Sequence, residues 1–463
     1  MTTEHPPLAS DAVTVGSDDE LKRALKARRQ QIVLKAGVTF EDDYTLDIDG
    51  LLVVSERPQA AVIAGEWVTA GDRMMVHGPL VKGGRIVVGG FDNVLRRIEF
   101  TGWEGQAIAV VNGAHGYPKG GRLEIGWCTA HHPAPWGCPP GTKPQPSRVV
   151  IRGKSSGPGT VHLGGLIQHV HFHHLPAKLG PGYYGQTDTI ELVPDGPSHP
   201  DVKTGWTYRF ILIEDHAGGD AVFDCKAGGE TIEDVTILRC PKGRLDFRMG
   251  SGSKARRLWL GAGVGMSVSG SGHEIEDVFL EDGNLNLIAG SVAPDVWKRP
   301  GGNRPLYQQP MRNALRRVTG KGRIVLGQKY SGSTLPVTGT VIEGCDVLVS
   351  KVCEADTKVV PSAAKAVPVR KLTTAECGIT AGWPDAGEPE PADKSWRIEW
   401  RQPDGSSYAP PWYWVHAYQD LPDFTHDPKG AAAYSEAEAL AGIPEVGRYV
   451  MDAKRLAATK VPA

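Results

Sequence analysis

Two interleaved apolar strand motifs return at a nearly constant step between residues 220 and 327, and this recurrence limits the possible folds more than any other feature. One series reads AVFDCK (221–226), RLDFR (244–248), GMSVSG (265–270), NLNLIAG (284–290) and RIVLGQ (323–328). The other falls between its members: IEDVTILRC (232–240), ARRLWLG (255–261), HEIEDVFLE (273–281) and RNALRRV (312–318). The step in the first series is roughly 20 residues until an insertion near 291–312, the size of one solenoid coil. An antiparallel sandwich has no reason to keep two series in phase, whereas a solenoid carrying one strand of each series per coil must do so. The pattern predicts an all-β chain folded as a right-handed, single-stranded parallel β-helix.

Strands of the same kind recur from about residue 50 to 350: LLVVS at 51, AVIAG at 61, NVLRRIEF at 93, RVVIRG at 148, DTIELV at 188 and RFILIED at 209. Ahead of them, Ser17 to Glu20 forms a capping box before LKRALKARR, which places Leu21, Ala24 and Leu25 on one helical face. A short amphipathic helix there suits a cap over the open end of the solenoid. The expected division is a capped β-helix over 1–350, a linker or loose cap over 351–394, and a small C-terminal region over 395–463 for capping or assembly.

Composition narrows the function classes. Lys+Arg 51 against Asp+Glu 53 leaves a net charge of -2, which gives no basis for nucleic-acid or membrane binding through bulk charge. No apolar stretch approaches the length of a membrane span, and MTTEHPPLASDAVTVG has no signal-peptide pattern. The expected locations are the cytoplasm, release by another route, or a phage virion. Cys128, Cys138, Cys225, Cys240, Cys345, Cys353 and Cys377 are scattered, with no C-x-x-C pair, and read as mostly buried free thiols.

Strand alternation assigns faces in the repeat. Ala221, Phe223 and Cys225 point inward, as do Leu245 and Phe247, so Asp224, Lys226, Arg244, Asp246 and Arg248 point outward. In-register coils stack Asp246 on Asp224 and Arg248 on Lys226, followed by Ser267 and Ser269, then Asn284 and Asn286. The expected result is a solvent-facing ladder of carboxylates, cations and small polar groups. Two cations one coil apart destabilise each other, so Lys226 is expected to have a lowered pKa and to serve as a general base. Arg248 stays charged and can grip a carboxylate with two hydrogen bonds. This chemistry fits proton abstraction beside a uronate carboxylate with β-elimination of the glycosidic oxygen; a merely decorative surface ladder is the alternative.

The segment DAVFDCKAGGETIEDVTILRCPKGRLDFRMGSGSKARRLWLG, with GMSVSGSGHEIEDVFLE after it, resembles the chondroitinase B and alginate lyase group, polysaccharide lyase family six. NLNLIAG and NRPLYQQPMRNALRRVTGKGRIVLG are similar to that group's later coils, and the resemblance covers roughly 160–350. It implies Lys226 as catalytic base and Arg248, 22 positions on, as catalytic arginine. An acidic polysaccharide is the implied partner, with Asp224, Asp246, Glu191, His273, Tyr183, Tyr184 and Tyr307 as candidate substrate contacts. Three departures stand out. Met249 replaces the histidine after the arginine, Glu191 replaces a cation, and Asp220 is left between Gly219 and Ala221 where members carry acids for calcium. No cofactor is certain; calcium on Asp220, Asp224 or Asp246 is the candidate.

A second reading keeps the same groove in a non-catalytic phage tail fibre or spike, with virion proteins as partners and a homotrimer expected, although no heptads support one. Other signals read as structural. His169, His171 and His173 alternate onto one face of HVHFHHLP, with His174 beside them, but fit an ordinary coil strand. His131-His132 lies in a Pro-rich loop without zinc spacing. Gly261 to Gly265 is a coil turn, since no helix follows to bind phosphate. The Trp cluster at 396–414 reads as small-domain core.

Overall fold

The computed structural model describes residue 8, most of 11–361 and most of 369–379, and four two-residue strands within 397–461. Segments 113–119, 136–147, 156–164, 177–187, 193–204, 218–220, 292–306, 330–332 and 362–368, with residues 122, 227, 242, 249 and 375, lie outside the described residues. The Trp cluster, Tyr183, Tyr184, Asp220 and Met249 fall there or in the tail.

The chain is a parallel β-helix. One face is a continuous ladder that starts at Tyr44–Leu46, Glu66–Thr69 and Arg85–Val88 and passes through Gly105–Asn112 and Arg148–Ser155. It continues through Ile190–Leu192, Phe223–Cys225, Arg244–Phe247, Gly265–Val268 and Asn284–Ile288, then Ala314–Gln328 and Asp346–Lys351. A second ladder runs from Val13–Val15 to Lys358–Val360, so parallel pairing continues past residue 350. A third begins at Thr39–Phe40 and Val62–Ile63. The second and third faces are often one long strand bent at a left-handed residue. His169, Phe210, Asp234, Arg257, Asp277 and Arg317 take this place in successive coils, with φ from 50° to 57°.

In-register stacking builds the core. Phe223, Leu245, Met266, Leu285 and Ile324 form one interior column, and Cys225, Phe247, Val268 and Leu287 form the next. All are almost completely buried. Close coil spacing dictates glycine at some turns: a Cβ on Gly320, whose φ is +118°, would lie 1.9 Å from the Leu280 carbonyl oxygen. The outer columns show what the same stacking requires of charge. Arg209, Glu233, Arg256, Glu276, Arg316 and Glu343 follow one another with alternating sign. The neighbouring bend residues repeat the device, with Arg257 on Asp234 at 2.7 Å and Arg317 on Asp277 at 2.6 Å.

The cap is as expected. The helix spans Asp18–Lys26, Ser17 Oγ accepts from the Glu20 N–H, and Leu21 and Ala24 are buried. Glu20 itself accepts from the Gly16 N–H rather than from Ser17. The six described cysteines are free. Among the described residues no helix is long and apolar enough to cross a membrane.

Phe172 sits in a core column between Ala130 and Ile213 and is fully buried. Phe172→Ala is expected to lower unfolding free energy by about 3–5 kcal/mol, measured by chemical denaturation. A loss under about 1 kcal/mol would contradict this packing.

Candidate active site

One outer column breaks the alternation of charge. Along the first face, Arg152 is followed by three acids, Glu191, Asp224 and Asp246, then by Ser267 and Asn286. Three like charges at strand spacing are unfavourable unless cations are brought to them. Here the cations come from the same coils. Lys226 Nζ lies 2.5 Å from Glu191 Oε1 and 3.0 Å from Asp224 Oδ2. Arg248 Nη1 lies 3.5 Å from Asp224 Oδ2, and Arg152 Nε 3.0 Å from Glu191 Oε2. Arg244 Nε reaches Asp246 Oδ2 at 3.3 Å.

The stacking expected of Asp224 and Asp246 is present. Lys226 and Arg248 occupy equivalent ends of successive strands, where the Arg248 N–H donates to the Cys225 carbonyl. Asn286 rather than Asn284 stacks on Ser267; Asn284, two residues earlier, pairs with Arg323.

Two expectations are corrected. The ladder does not face solvent: Asp224 and Asp246 are each 2 % exposed, Glu191 1 % and Lys226 8 %. Alternation tells which side chains leave the solenoid interior, not whether neighbouring coils cover them. Nor is the Lys226 pKa lowered. Burial and Arg248 do act in that direction, but Asp224 and Glu191 outweigh them and hold the ammonium above its ordinary value. The Arg248 guanidinium is likewise held charged, because Asp224 and Asp246 overcome its burial.

His273, expected as a substrate contact, is held by backbone groups. It is 1 % exposed, its Nδ1 accepts from the Ser253 N–H, and its Nε2 faces the carbonyls of Gly250 and Ser269. Stacked on Phe247 with ring centroids 5.0 Å apart, it braces the turn beneath Arg248. Tyr307 is buried and acts electrostatically on Arg248, which places it by the cluster. Tyr183, Tyr184 and Asp220 lie outside the described residues.

Two members of the cluster were not singled out in the sequence. Arg152 is one. The other is Asp188, which accepts from the Ala221 N–H at 3.2 Å. The available signal was DTIEL itself, two acids three positions apart at the start of a strand. Asp188, Glu191 and Asp224 form a buried triad whose carboxylate oxygens lie within 4.8 Å of one another. Asp224 Oδ1 is buried with no hydrogen-bond partner among the described residues. An all-oxygen donor set with such an orphaned atom fits a hard cation such as calcium.

No protein-family model matches the sequence, and neither does any curated protein. Among solved structures the fold is similar to that of polysaccharide lyases of family PL6. One from Pseudopedobacter saltans matches with a TM-score of 0.51 at 14% identity, over 79% of this chain and 99% of that one. A PL6 alginate lyase in complex with a trisaccharide matches with a TM-score of 0.54 at 12% identity, over 80% of this chain and 88% of that one. The class defined by fold is thus the PL6-like parallel β-helix.

The buried acids give stability a pH dependence. Burial, with Asp224 and Glu191 beside it, pushes Asp188 up to about 8. Burial pushes the core carboxyl of Glu230 up to about 8 as well. Both exceed the ordinary carboxylate value of about 4, so the folded chain holds protons there that the unfolded chain releases. Stability from these groups is present at low pH and is lost as pH rises through about 8. Between about pH 7 and 8 ordinary histidines are mostly neutral and contribute little. In cation-free buffer the melting temperature is expected to fall across that window, and to fall less in Asp188→Asn. An equal fall in both proteins would remove Asp188 from the account.

Proposed function

We propose that this chain is a polysaccharide lyase that cleaves a uronate-containing glycan by β-elimination. The observation that carries the reading is the convergence of Lys226 and Arg248, from successive coils, on Asp224 within a fold similar to PL6 lyases. Alginate is the first glycan to consider, because a structural neighbour is an alginate lyase.

In this reading Lys226 is the base and Arg248 the carboxylate-binding partner. Arg248 offers a fork of donors to the uronate carboxylate, and neutralising that group acidifies the neighbouring C5–H. Lys226 takes the C5 proton, the electron pair forms the C4=C5 double bond, and the C4–O bond breaks. The leaving oxygen takes a proton from Arg248's side of the site or from water.

A base must be unprotonated, and Glu191 and Asp224 oppose that in the cation-free cluster. Asp188, Glu191 and Asp224 would hold calcium, whose positive charge beside Lys226 would draw the carboxylates away and lower its pKa. Glu191 then has a double part: it is Lys226's partner when the triad holds no ion, and a ligand when it does.

The test is ultraviolet absorbance of unsaturated uronate products on alginate, chondroitin and pectate, with calcium and with chelator. Wild type is expected to give a rise that chelation suppresses and calcium restores. Lys226→Ala should lose at least about a thousandfold, within the usual range for removing a general base or more. Arg248→Ala should lose rate with a raised KM, as expected when a carboxylate anchor goes. Glycan binding without any absorbance rise would replace the lyase reading with that of a non-catalytic glycan-binding groove.

A further inference from the structure

The histidines read as separate, structural features of the sequence come together on the third face of the helix. Strand alternation alone puts His169, His171 and His173 on one side, but the strand bends at His169, where φ is 50°. His169 therefore leaves the row and stacks between Trp127 and Phe210, with centroids 4.6 and 4.5 Å away. His171 and His173 remain neighbours, at 4.4 Å. Register then sets His173 on His131 of the preceding coil.

His132 and His174 occupy the next left-handed bend in these two coils, with φ of 49° and 54°. Their rings stack at 4.6 Å, and those of His131 and His173 at 4.8 Å. Within each coil adjacent rings meet through Nδ1, at 2.9 Å for His131 with His132 and 2.6 Å for His173 with His174. His132, His173 and His174 each present one ring nitrogen, and the three atoms lie within 4.8 Å of one another. His132 and His174 are exposed and His173 is half-buried, so the group lies at the surface.

We propose that His132, His173 and His174 bind a divalent transition-metal ion of the zinc, nickel and copper class. Imidazole is the ligand these ions favour, and with bonds of about 2.0–2.1 Å adjacent nitrogens in a tetrahedral site lie roughly 3.3 Å apart. The Nδ1 atoms of His173 and His174, 2.6 Å apart, are closer than that edge, and no pair of the three ligand atoms is farther apart than 4.8 Å, so ring rotations would complete the set, with water in the fourth place. His131 and His171 flank the three and are held by carboxylates, His131 Nε2 on Glu99 at 3.0 Å and His171 Nε2 on Glu214 at 2.9 Å. These contacts fix the rings against which His132 and His173 pack. One ligand comes from the coil of Thr129–His131 and two from the next, so the ion would tie two coils together. The site shares no residue with the acidic cluster around Lys226 and does not depend on the lyase reading.

The test uses untagged, metal-stripped protein, titrated with cobalt(II) and then zinc in excess calcium, which occupies oxygen-donor sites. Wild type is expected to take up one ion with visible cobalt absorption of a nitrogen-rich site, and zinc should displace it and raise the melting temperature. The double variant His132→Ala/His174→Ala removes two exposed side chains and should bind at least tenfold more weakly, with no zinc-induced shift in melting. Equal affinity in wild type and variant, or no saturable uptake by wild type, would overturn the proposal. A circular-dichroism match between the two proteins separates lost ligands from a lost fold.

Discussion

In-register stacking of parallel coils governs nearly everything distinctive in this protein. Each outward or inward side chain is held one strand spacing from its counterpart in the next coil, so chemistry is organised in columns. In the interior this yields apolar columns such as Phe223, Leu245, Met266 and Leu285. On the surface it forces charged residues to alternate, as Arg209, Glu233, Arg256 and Glu276 do. The acidic column of Glu191, Asp224 and Asp246 violates that requirement, and its violation locates the candidate site. Lys226, Arg152, Arg244 and Arg248 offset the accumulated charge at close range.

Under the proposed reading the cluster would have two balanced arrangements. With no cation, Lys226 is the counter-ion of the acids and is held protonated by them. A cation held by Asp188, Glu191 and Asp224 would take over that duty and leave Lys226 free for the base role of the proposed elimination. The raised carboxyl of Asp188 belongs to the same balance, since a proton there relieves part of the charge that the ion would otherwise neutralise. Burial makes the switch effective, because charges at 1–2 % exposure interact with little screening by water.

Much of the fold was legible because period and alternation report directly on stacking. The two strand series, the capped start and the alignment of Asp224 with Asp246 all follow from that local pattern. What alternation does not encode is coverage by other coils, so the column taken as solvent-facing is buried. The Lys226 pKa was misjudged for a related reason. Arg248 lies one regular step away, whereas the longer interval between Glu191 and Asp224 departs from the repeat step and hides their register. The histidine group was obscured twice, by a bend at His169 that breaks alternation and by the long segment between His132 and the strand Leu166–Leu175.

The most direct measurement of the central claim is the mass of oligosaccharide products formed from alginate in oxygen-18 water with calcium present. β-Elimination moves a proton from C5 and breaks C4–O without adding water, so the account predicts unsaturated products with no heavy oxygen beyond the reducing-end exchange that the same oligosaccharides show without enzyme. Products that gain heavy oxygen at the cleaved bond would mean hydrolysis and would contradict the assignment of Lys226 and Arg248 to elimination.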